Sequence, residues 1–188
     1  MIKVLIADDQ ELIRESLKIV LSSYKDIEVV DAVDDGFAVL ESMKKVQPDL
    51  VLMDIRMPKM DGVLCTKAVK ENYPNVKVII LTTFDDDDFI FKALQYGASG
   101  YILKGISMED LYQAIVTVNK GNAMINPDVA TKVVKLFSQM AQSNSAIQVQ
   151  GNSVENISKA EWKIIQQIGF GLSNKEIAAK PKIGRAHV

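Results

Sequence analysis

Cysteine is almost absent from the sequence, and long apolar runs are missing altogether. Among 188 residues there is one cysteine, Cys65, which excludes an intramolecular disulfide and a metal site made of paired cysteines. No apolar run approaches the ~20 residues that a membrane-spanning helix needs. The opening MIKVLIADDQ becomes acidic too early for a signal peptide. We therefore expect a cytoplasmic protein that has no membrane partner.

Neither sign of charge is in large excess over the whole chain. The 22 Lys and Arg residues against 24 Asp and Glu residues give a formal net charge of −2, so the molecule as a whole is not an obvious binder of polyanions. The charges are nevertheless unevenly distributed, because residues 1–120 are acidic and residues 121–188 are basic. This asymmetry predicts two parts with separate roles.

Short apolar runs alternate with amphipathic segments up to residue 120. The runs predict five strands, at Ile2–Ala7, Ile27–Val33, Asp49–Asp54, Val76–Thr82 and Gly100–Lys104. Nearly continuous apolar runs of this length are typical of parallel strands that are covered on both faces. The segments between them have the period of a helix, which in the first segment predicts that Leu12, Leu17 and Leu21 share one face. We therefore predict an α/β fold with a five-stranded, doubly wound parallel sheet.

A different pattern follows Gly121. Residues 128–141 predict one helix, and residues 142–156 are polar and rich in Ser, Asn and Gln, as a linker would be. Two short capped helices are then predicted at residues 158–169 and 173–180. The predicted division of the chain is a first domain over residues 1–121, a linker with one helix over 122–156, and a helical segment over 157–180.

Polar side chains stand where four of the predicted strands end. They are Asp8 and Asp9, Asp54, Thr82 and Lys104. In an open parallel sheet the carboxyl ends of the strands share one rim, where ligands bind, so we expect these groups to converge. Two carboxylates ~4 Å apart repel by about 4 kcal/mol at an effective dielectric constant of ~20. A hard divalent cation such as Mg²⁺ would offset that repulsion, and the set predicts phosphoryl chemistry with Asp54 as the attacking group.

Each of these residues also has a simpler interpretation. Asp54 could merely end a strand, and Lys104 could be a solvated strand end. Asp8 could cap the first helix and leave Asp9 alone to bind a metal. Thr82 could be an ordinary buried strand residue. Only their shared position at one rim favours the functional interpretation.

Four stretches, in this order, resemble the receiver domain of two-component response regulators. They are DDQ at 8–10, MDIRMPKMDG at 53–62, LTT at 81–83 and GYILK at 100–104. The resemblance covers residues 1 to about 120 and implies a flavodoxin-like receiver fold. It also implies that a sensor histidine kinase donates a phosphoryl group to Asp54. The sequence departs from the family pattern at Gly105, where many receivers have a proline and a cis bond.

The same resemblance implies how a metal ion is held. Asp9 would be a direct ligand of Mg²⁺, and Asp8 would act largely through water. Asp54 and the backbone carbonyl of Arg56 would complete the ligands that the chain supplies.

The resemblance also implies a switch. Lys104 would pair with the phosphoryl oxygens, and Thr82 would move to hydrogen-bond them. Tyr101 would be the aromatic residue that turns inward when Thr82 moves, although the sequence alone fits a packed core residue equally well. The nearby run Asp85–Asp88 could suggest a second metal site, but a solvated loop leading into a helix N-terminus explains it better, since negative charge is favourable there.

The stretch GLSNKEIAAK at 171–180 resembles the start of a LuxR/NarL-type helix-turn-helix. This implies that the intact parent protein forms a phosphorylation-dependent homodimer and binds promoter DNA. Residues 181–188 do not continue the motif, because Pro181 disfavours a helix there. Lys182–Val188 also back-translates to a string that contains the start of a common sequencing adapter. We therefore expect a non-native tail over 181–188 and an incomplete motif that binds DNA weakly or not at all.

Two other functions are compatible with the sequence. One is a stand-alone receiver that acts through protein contacts only. The other is an aspartate-nucleophile phosphatase, but such enzymes commonly place a second acid two residues beyond the nucleophile, where this chain has Arg56. We therefore expect a regulator rather than an enzyme.

Overall fold

The computed structural model describes the backbone of residues 1–146 and the side chains of residues 1–139. Most of the predicted linker, the helical segment at 157–180 and the tail at 181–188 lie outside the described residues. Residues Met1–Val133 form one compact unit, and the second unit is described only as a continuing helix up to Ala146. None of the helices within residues 1–146 combines the length and apolar character needed to span a bilayer.

The strands form a single parallel sheet, as the alternating pattern predicts. Their bounds are β1 Ile2–Ala7, β2 Ile27–Val33, β3 Leu50–Met53, β4 Lys77–Thr82, β5 Gly100–Leu103 and β6 Met124–Ile125, in the spatial order β2-β1-β3-β4-β5-β6. All neighbouring strands run parallel. The doubly wound α/β fold is therefore confirmed, but the predicted number of five strands is wrong. The sixth strand has two residues, which is too short to produce a recognisable apolar run.

Helices follow each of the six strands. Their bounds are α1 Glu11–Leu21, α2 Gly36–Met43, α3 Gly62–Asn72, α4 Asp87–Gln95, α5 Met108–Asn119 and α6 Pro127–Ala146. Ser107 caps α5 by accepting a hydrogen bond from the Asp110 backbone N–H at 3.0 Å. The last helix continues past its predicted end at Ala141 to Ala146, although the residues there are polar.

The helices cover both faces of the sheet, which explains why the strands are apolar throughout. Leu5 and Met53 lie in the core that α2, α3 and α4 cover. Val4 and Leu52, one position away, lie in the core that α1 and α5 cover. The central strands β3 and β4 therefore have almost no solvent-facing side, whereas the edge strand β2 exposes Glu28 and Asp31.

One predicted core position is wrong. Leu17 and Leu21 are buried as predicted, but Leu12 is 79% exposed. Residues five positions apart on an α-helix are separated by about 140° around the axis, so Leu12 points away from the face that Leu17 occupies.

The Asp61-Gly62 turn brings α3 directly against the end of β3. A Cβ atom at Gly62 would lie 1.9 Å from the carbonyl oxygen of Asp54, so no other residue fits without displacing that strand end. The Gly62 N–H donates to the carbonyl oxygen of Ile55 at 2.8 Å. The Asp61 side chain caps α3 by accepting from the Leu64 N–H at 2.8 Å. Glycine is thus required here by close packing.

We expect Gly62→Ala to lower the free energy of unfolding by about 1–3 kcal/mol, because the added methyl group forces the backbone of Asp54 and α3 apart. Urea denaturation monitored by circular dichroism measures the change. Lys67→Ala, at an exposed position of the same helix, is the control and should change stability by less than about 0.5 kcal/mol. Equal unfolding midpoints for Gly62→Ala and the unmodified chain would contradict this account of the turn.

Candidate functional site

Three carboxylates meet at the carboxyl rim of the sheet. Asp8 and Asp9 follow β1, and Asp54 follows β3, which is the neighbour of β1. One ligand oxygen from each of the three lies within 4.8 Å of the other two. Asp8 and Asp54 are buried, whereas Asp9 is exposed. The strand order thus brings together residues that are up to 46 positions apart in the sequence.

Lys104, at the end of β5, is the cation that pairs with this cluster. Its Nζ lies 2.6 Å from Oδ2 of Asp8 and 2.9 Å from Oδ2 of Asp54. All three side chains are nearly buried, with 12% of the lysine side chain exposed against 2% and 3% of the aspartates. Three carboxylates against one ammonium leave a formal charge of −2, so the site retains an attraction for a divalent cation.

Burial and pairing act on the acid–base properties of these groups in opposite directions. Burial raises the pKa of the Asp8 carboxyl, although the hydrogen bond from Lys104 opposes the increase. Burial by itself would lower the pKa of Lys104, but its hydrogen bonds to Asp8 and Asp54 outweigh that effect and leave the pKa raised. Lys104 therefore remains an ammonium at neutral pH.

Backbone contacts fix the two buried aspartates. Oδ1 of Asp54 accepts from the Ile55 N–H at 2.7 Å. Oδ1 of Asp8 accepts from the Gln10 N–H at 3.0 Å, while α1 begins without a side-chain cap. Asp8 therefore orders the turn that leads into α1 and contributes to the acidic cluster at the same time.

The loop after β3 is attached to α2 by a pair that the sequence did not reveal. Lys59 has a positive φ of 62°, and its Nζ lies 2.5 Å from Oδ2 of the buried Asp35. Asp35 also caps α2 by accepting from the Ala38 N–H at 2.9 Å. These contacts hold the loop that follows Asp54, and no spacing in the sequence pairs residues 35 and 59.

Thr82 and Tyr101 both contact Phe84 in the loop that follows β4. Oγ1 of the buried Thr82 accepts from the Phe84 N–H at 3.4 Å, a long contact. The hydroxyl of Tyr101 donates to the Phe84 carbonyl at 2.6 Å. The Tyr101 side chain is fully buried in the core, and this burial, with the nearby charges of Asp85 and Asp86, raises the pKa of its hydroxyl. Tyr101 is therefore both a packed core residue and a contact of the loop that follows β4.

Arg56 covers this loop from the outside. The centre of its guanidinium lies 3.9 Å from the centre of the Phe84 ring and 5.9 Å from that of Phe89. A cation over an aromatic face is attracted by the ring quadrupole. The family resemblance implied a role only for the backbone carbonyl of Arg56, and nothing in the spacing connects its side chain with an aromatic residue 28 positions later.

The run Asp85–Asp88 does not form a second acidic cluster. Within the residues whose side chains are described, the three aspartates of the rim are the only carboxylate group close enough together to hold a metal ion. Asp87 and Asp88 lie in the first turn of α4, where the helix dipole stabilises negative charge. Asp85 pairs with Lys132 at 2.6 Å.

The chemistry of the rim follows from its donors. Carboxylate oxygens are hard ligands suited to Mg²⁺, and Asp8, Asp9 and Asp54 supply them close together. Lys104 offers a second positive charge beside Asp54, which favours an incoming anion such as a phosphoryl group. The arrangement suits transfer of a phosphoryl group to a carboxylate.

Comparisons with known proteins lead to one family. Residues 4–116 match the family model described as the response regulator receiver domain. The chain is 36% identical over 181 residues to the transcriptional regulatory protein LnrK of Bacillus subtilis, an alignment that covers 96% of this chain and 82% of LnrK. It is 36% identical over 183 residues to the oxygen regulatory protein NreC of Staphylococcus carnosus, with 95% and 82% covered. A solved DNA-binding response regulator of the LuxR family from Staphylococcus aureus superposes with a TM-score of 0.61 and 30% identity, covering 63% of this chain and 99% of that one.

We expect Lys104→Met to lower the free energy of unfolding by about 3 kcal/mol at neutral pH without metal, because Asp8 and Asp54 lose their buried counter-ion. The loss should be smaller near pH 4. Folding raises the pKa of the Asp8 carboxyl. Such a group contributes its full stability below the pKa of the unfolded chain, ~3.9, and this contribution is lost as the pH rises through the pKa of the folded state. Without Lys104 the pKa of Asp8 in the folded state rises further, so protonation at acidic pH removes part of the variant's destabilisation.

Urea denaturation at the two pH values measures this difference. Lys18→Met is the control, because it removes only an exposed contact of 4.0 Å with Glu15 in α1, and its effect should be small at both pH values. A destabilisation of Lys104→Met that does not depend on pH would show that the aspartates do not cause it.

Proposed function

The chain belongs to the family of two-component response regulators of the LuxR/NarL class, and from this membership we propose that Asp54 accepts a phosphoryl group from a sensor histidine kinase. The observation that carries the proposal is the position of Asp54, buried beside Lys104 and two further carboxylates. Aspartate is a weak nucleophile, so it needs charge neutralisation around it to attack phosphorus. We also propose a cytoplasmic location, because the sensor kinases of this family phosphorylate their response regulators in the cytoplasm.

The transfer exchanges one bond to phosphorus for another. An oxygen of Asp54 attacks phosphorus, the bond from phosphorus to the donor nitrogen breaks, and an acyl phosphate is formed. The Ile55 N–H holds one oxygen of Asp54 in place at 2.7 Å, and Lys104 stays close enough to pair with the incoming phosphoryl oxygens. Asp8, Asp9, Asp54 and the backbone carbonyl of Arg56 would hold Mg²⁺, which when bound supplies positive charge for the phosphoryl oxygens.

Thr82 and Tyr101 then carry the change away from the site. We infer that the Thr82 hydroxyl turns towards the phosphoryl group and gives up its long contact with Phe84. Tyr101 is already buried in this structure, so in place of the expected inward turn we infer that its hydroxyl, bound to the same residue, follows the loop to its new position. Changing the ratio of the active to the inactive conformation from 1:99 to 99:1 needs about 5.5 kcal/mol of differential stabilisation. Two charge-assisted hydrogen bonds to the phosphoryl group, of about 1.5–3 kcal/mol each, would supply most of it.

The output belongs to the same proposal. Relatives with this receiver carry names that describe transcriptional regulation and oxygen regulation. We propose that the protein dimerises when phosphorylated and binds promoter DNA through a helix-turn-helix of the kind that the stretch at 171–180 resembles. A purely protein-binding receiver and a phosphatase are weaker alternatives, because neither uses that segment.

Mg²⁺ should stabilise the folded chain, because an ion that binds only the native state adds about 2.7 kcal/mol at a concentration of 100 times its Kd. The melting temperature measured with and without MgCl₂ reports this effect. Asp9→Asn should abolish the increase without unfolding the protein, since Asp9 is exposed. Asp34→Asn, which removes an exposed aspartate after β2, should leave the increase unchanged. An undiminished increase in Asp9→Asn would exclude Asp9 as a ligand.

Incubation with acetyl phosphate and Mg²⁺ should add the mass of one phosphoryl group, and peptide mapping should place it on Asp54. Asp54→Asn should gain no mass, and Asp34→Asn should gain it at the normal rate. Phosphoryl groups found only on other residues would overturn the proposed function.

A further inference from the structure

The beginning of α6 is attached to β5, next to the candidate site. The Asn126 side-chain oxygen accepts from the Leu103 N–H at 2.9 Å, and the Asn126 N–H donates to the Tyr101 carbonyl at 3.3 Å. Val129 is completely buried and Val133 packs against the same core. The first two turns of α6 therefore rest on the frame of the sheet, next to the strand that carries Lys104.

One side chain of these turns reaches the loop of residues 83–86, called the switch loop below. Nζ of Lys132 lies 2.6 Å from the Asp85 carbonyl oxygen and 2.6 Å from its Oδ2. The hydrogen bond raises the pKa of Lys132 and lowers the pKa of Asp85, so both are charged at neutral pH. The lysine thus binds the backbone of the switch loop as well as its side chain.

The switch loop is held from two sides. Towards the site, the Phe84 carbonyl accepts from Tyr101 at 2.6 Å and the Phe84 N–H donates to Thr82 at 3.4 Å. Towards the surface, the next residue, Asp85, is held by Lys132. Because the start of α6 is also anchored to β5 and to the core through Asn126 and Val129, a movement of the loop relative to β5 changes the separation of Asp85 and Lys132.

We propose that the Lys132–Asp85 pair couples phosphorylation of Asp54 to the start of α6, an inference that rests on the proposed function. The pair is closed while Thr82 contacts Phe84. When Thr82 turns towards a phosphoryl group, the switch loop shifts, Asp85 leaves Lys132, and the first turns of α6 are held less firmly. Since α6 leads into the rest of the chain, the pair would transmit phosphorylation at the buried site to the residues that follow α6.

Amide hydrogen exchange of residues 130–133 in the full chain tests the coupling, with and without excess acetyl phosphate and Mg²⁺. Exchange in the unmodified chain should become about two- to five-fold faster on phosphorylation, the size expected for loss of a partly exposed ion pair. Lys132→Met should show the faster exchange already without phosphate and no further increase. Asp85→Asn should behave in the same way, and the double variant should add nothing to either single change.

Asp88→Asn is the matched control, because it removes the same charge from an exposed position of the same acidic run that does not contact Lys132 in the structure. It should keep the full response to phosphate. A response in Lys132→Met equal to that of the unmodified chain would overturn the coupling.

The mass of the treated chain separates this inference from the proposed function. A phosphoryl group on Asp54 with unchanged exchange at residues 130–133 would overturn the coupling and leave the receiver function intact. Absence of a phosphoryl group on Asp54 would overturn both.

Discussion

Repulsion among the carboxylates of Asp8, Asp9 and Asp54 is the constraint on which the site depends. Lys104 offsets part of it with two short contacts, but buried ion pairs rarely repay the cost of removing charge from water. The cluster therefore persists because the sheet holds the ends of β1, β3 and β5 in fixed positions. The charge that remains unbalanced is what makes the rim suitable for a divalent cation and a phosphoryl group.

The rigidity that the site requires comes from the two cores on either side of the sheet. The last four residues of β1 and all of β3 are buried, so the strand ends that carry the acidic residues are positioned by packing on both sides. Gly62 extends this control past the end of β3, because α3 approaches the carbonyl of Asp54 too closely for any side chain. The position of Asp54 is thus fixed by apolar packing and backbone geometry before any ion is bound.

The features that were predictable from the sequence are those with a local or periodic signal. Buried parallel strands appear as apolar runs, and the carboxyl rim follows from where those runs end, which is why the convergence of Asp8, Asp54 and Lys104 could be anticipated. The strand β6 was missed because two residues are too few to show a recognisable apolar or alternating pattern. The pairs of Lys59 with Asp35 and of Lys132 with Asp85 were missed because each joins residues far apart in the sequence, and nothing in the sequence distinguishes these acids from the aspartates beside them.

The two ends of the switch loop differ in the strength of their contacts, and this difference gives the coupling a direction. Around Asp54 the charges are nearly buried, so contacts to a phosphoryl group under the proposed function would form in a medium that strengthens them. The Lys132–Asp85 pair is partly exposed, and such pairs are weakened by water and salt. If both ends compete for the position of this short loop, as the proposed coupling requires, the contacts at the buried end are the stronger ones. A surface pair of low strength is therefore suited to respond to the site, whereas a buried pair in its place would resist the signal.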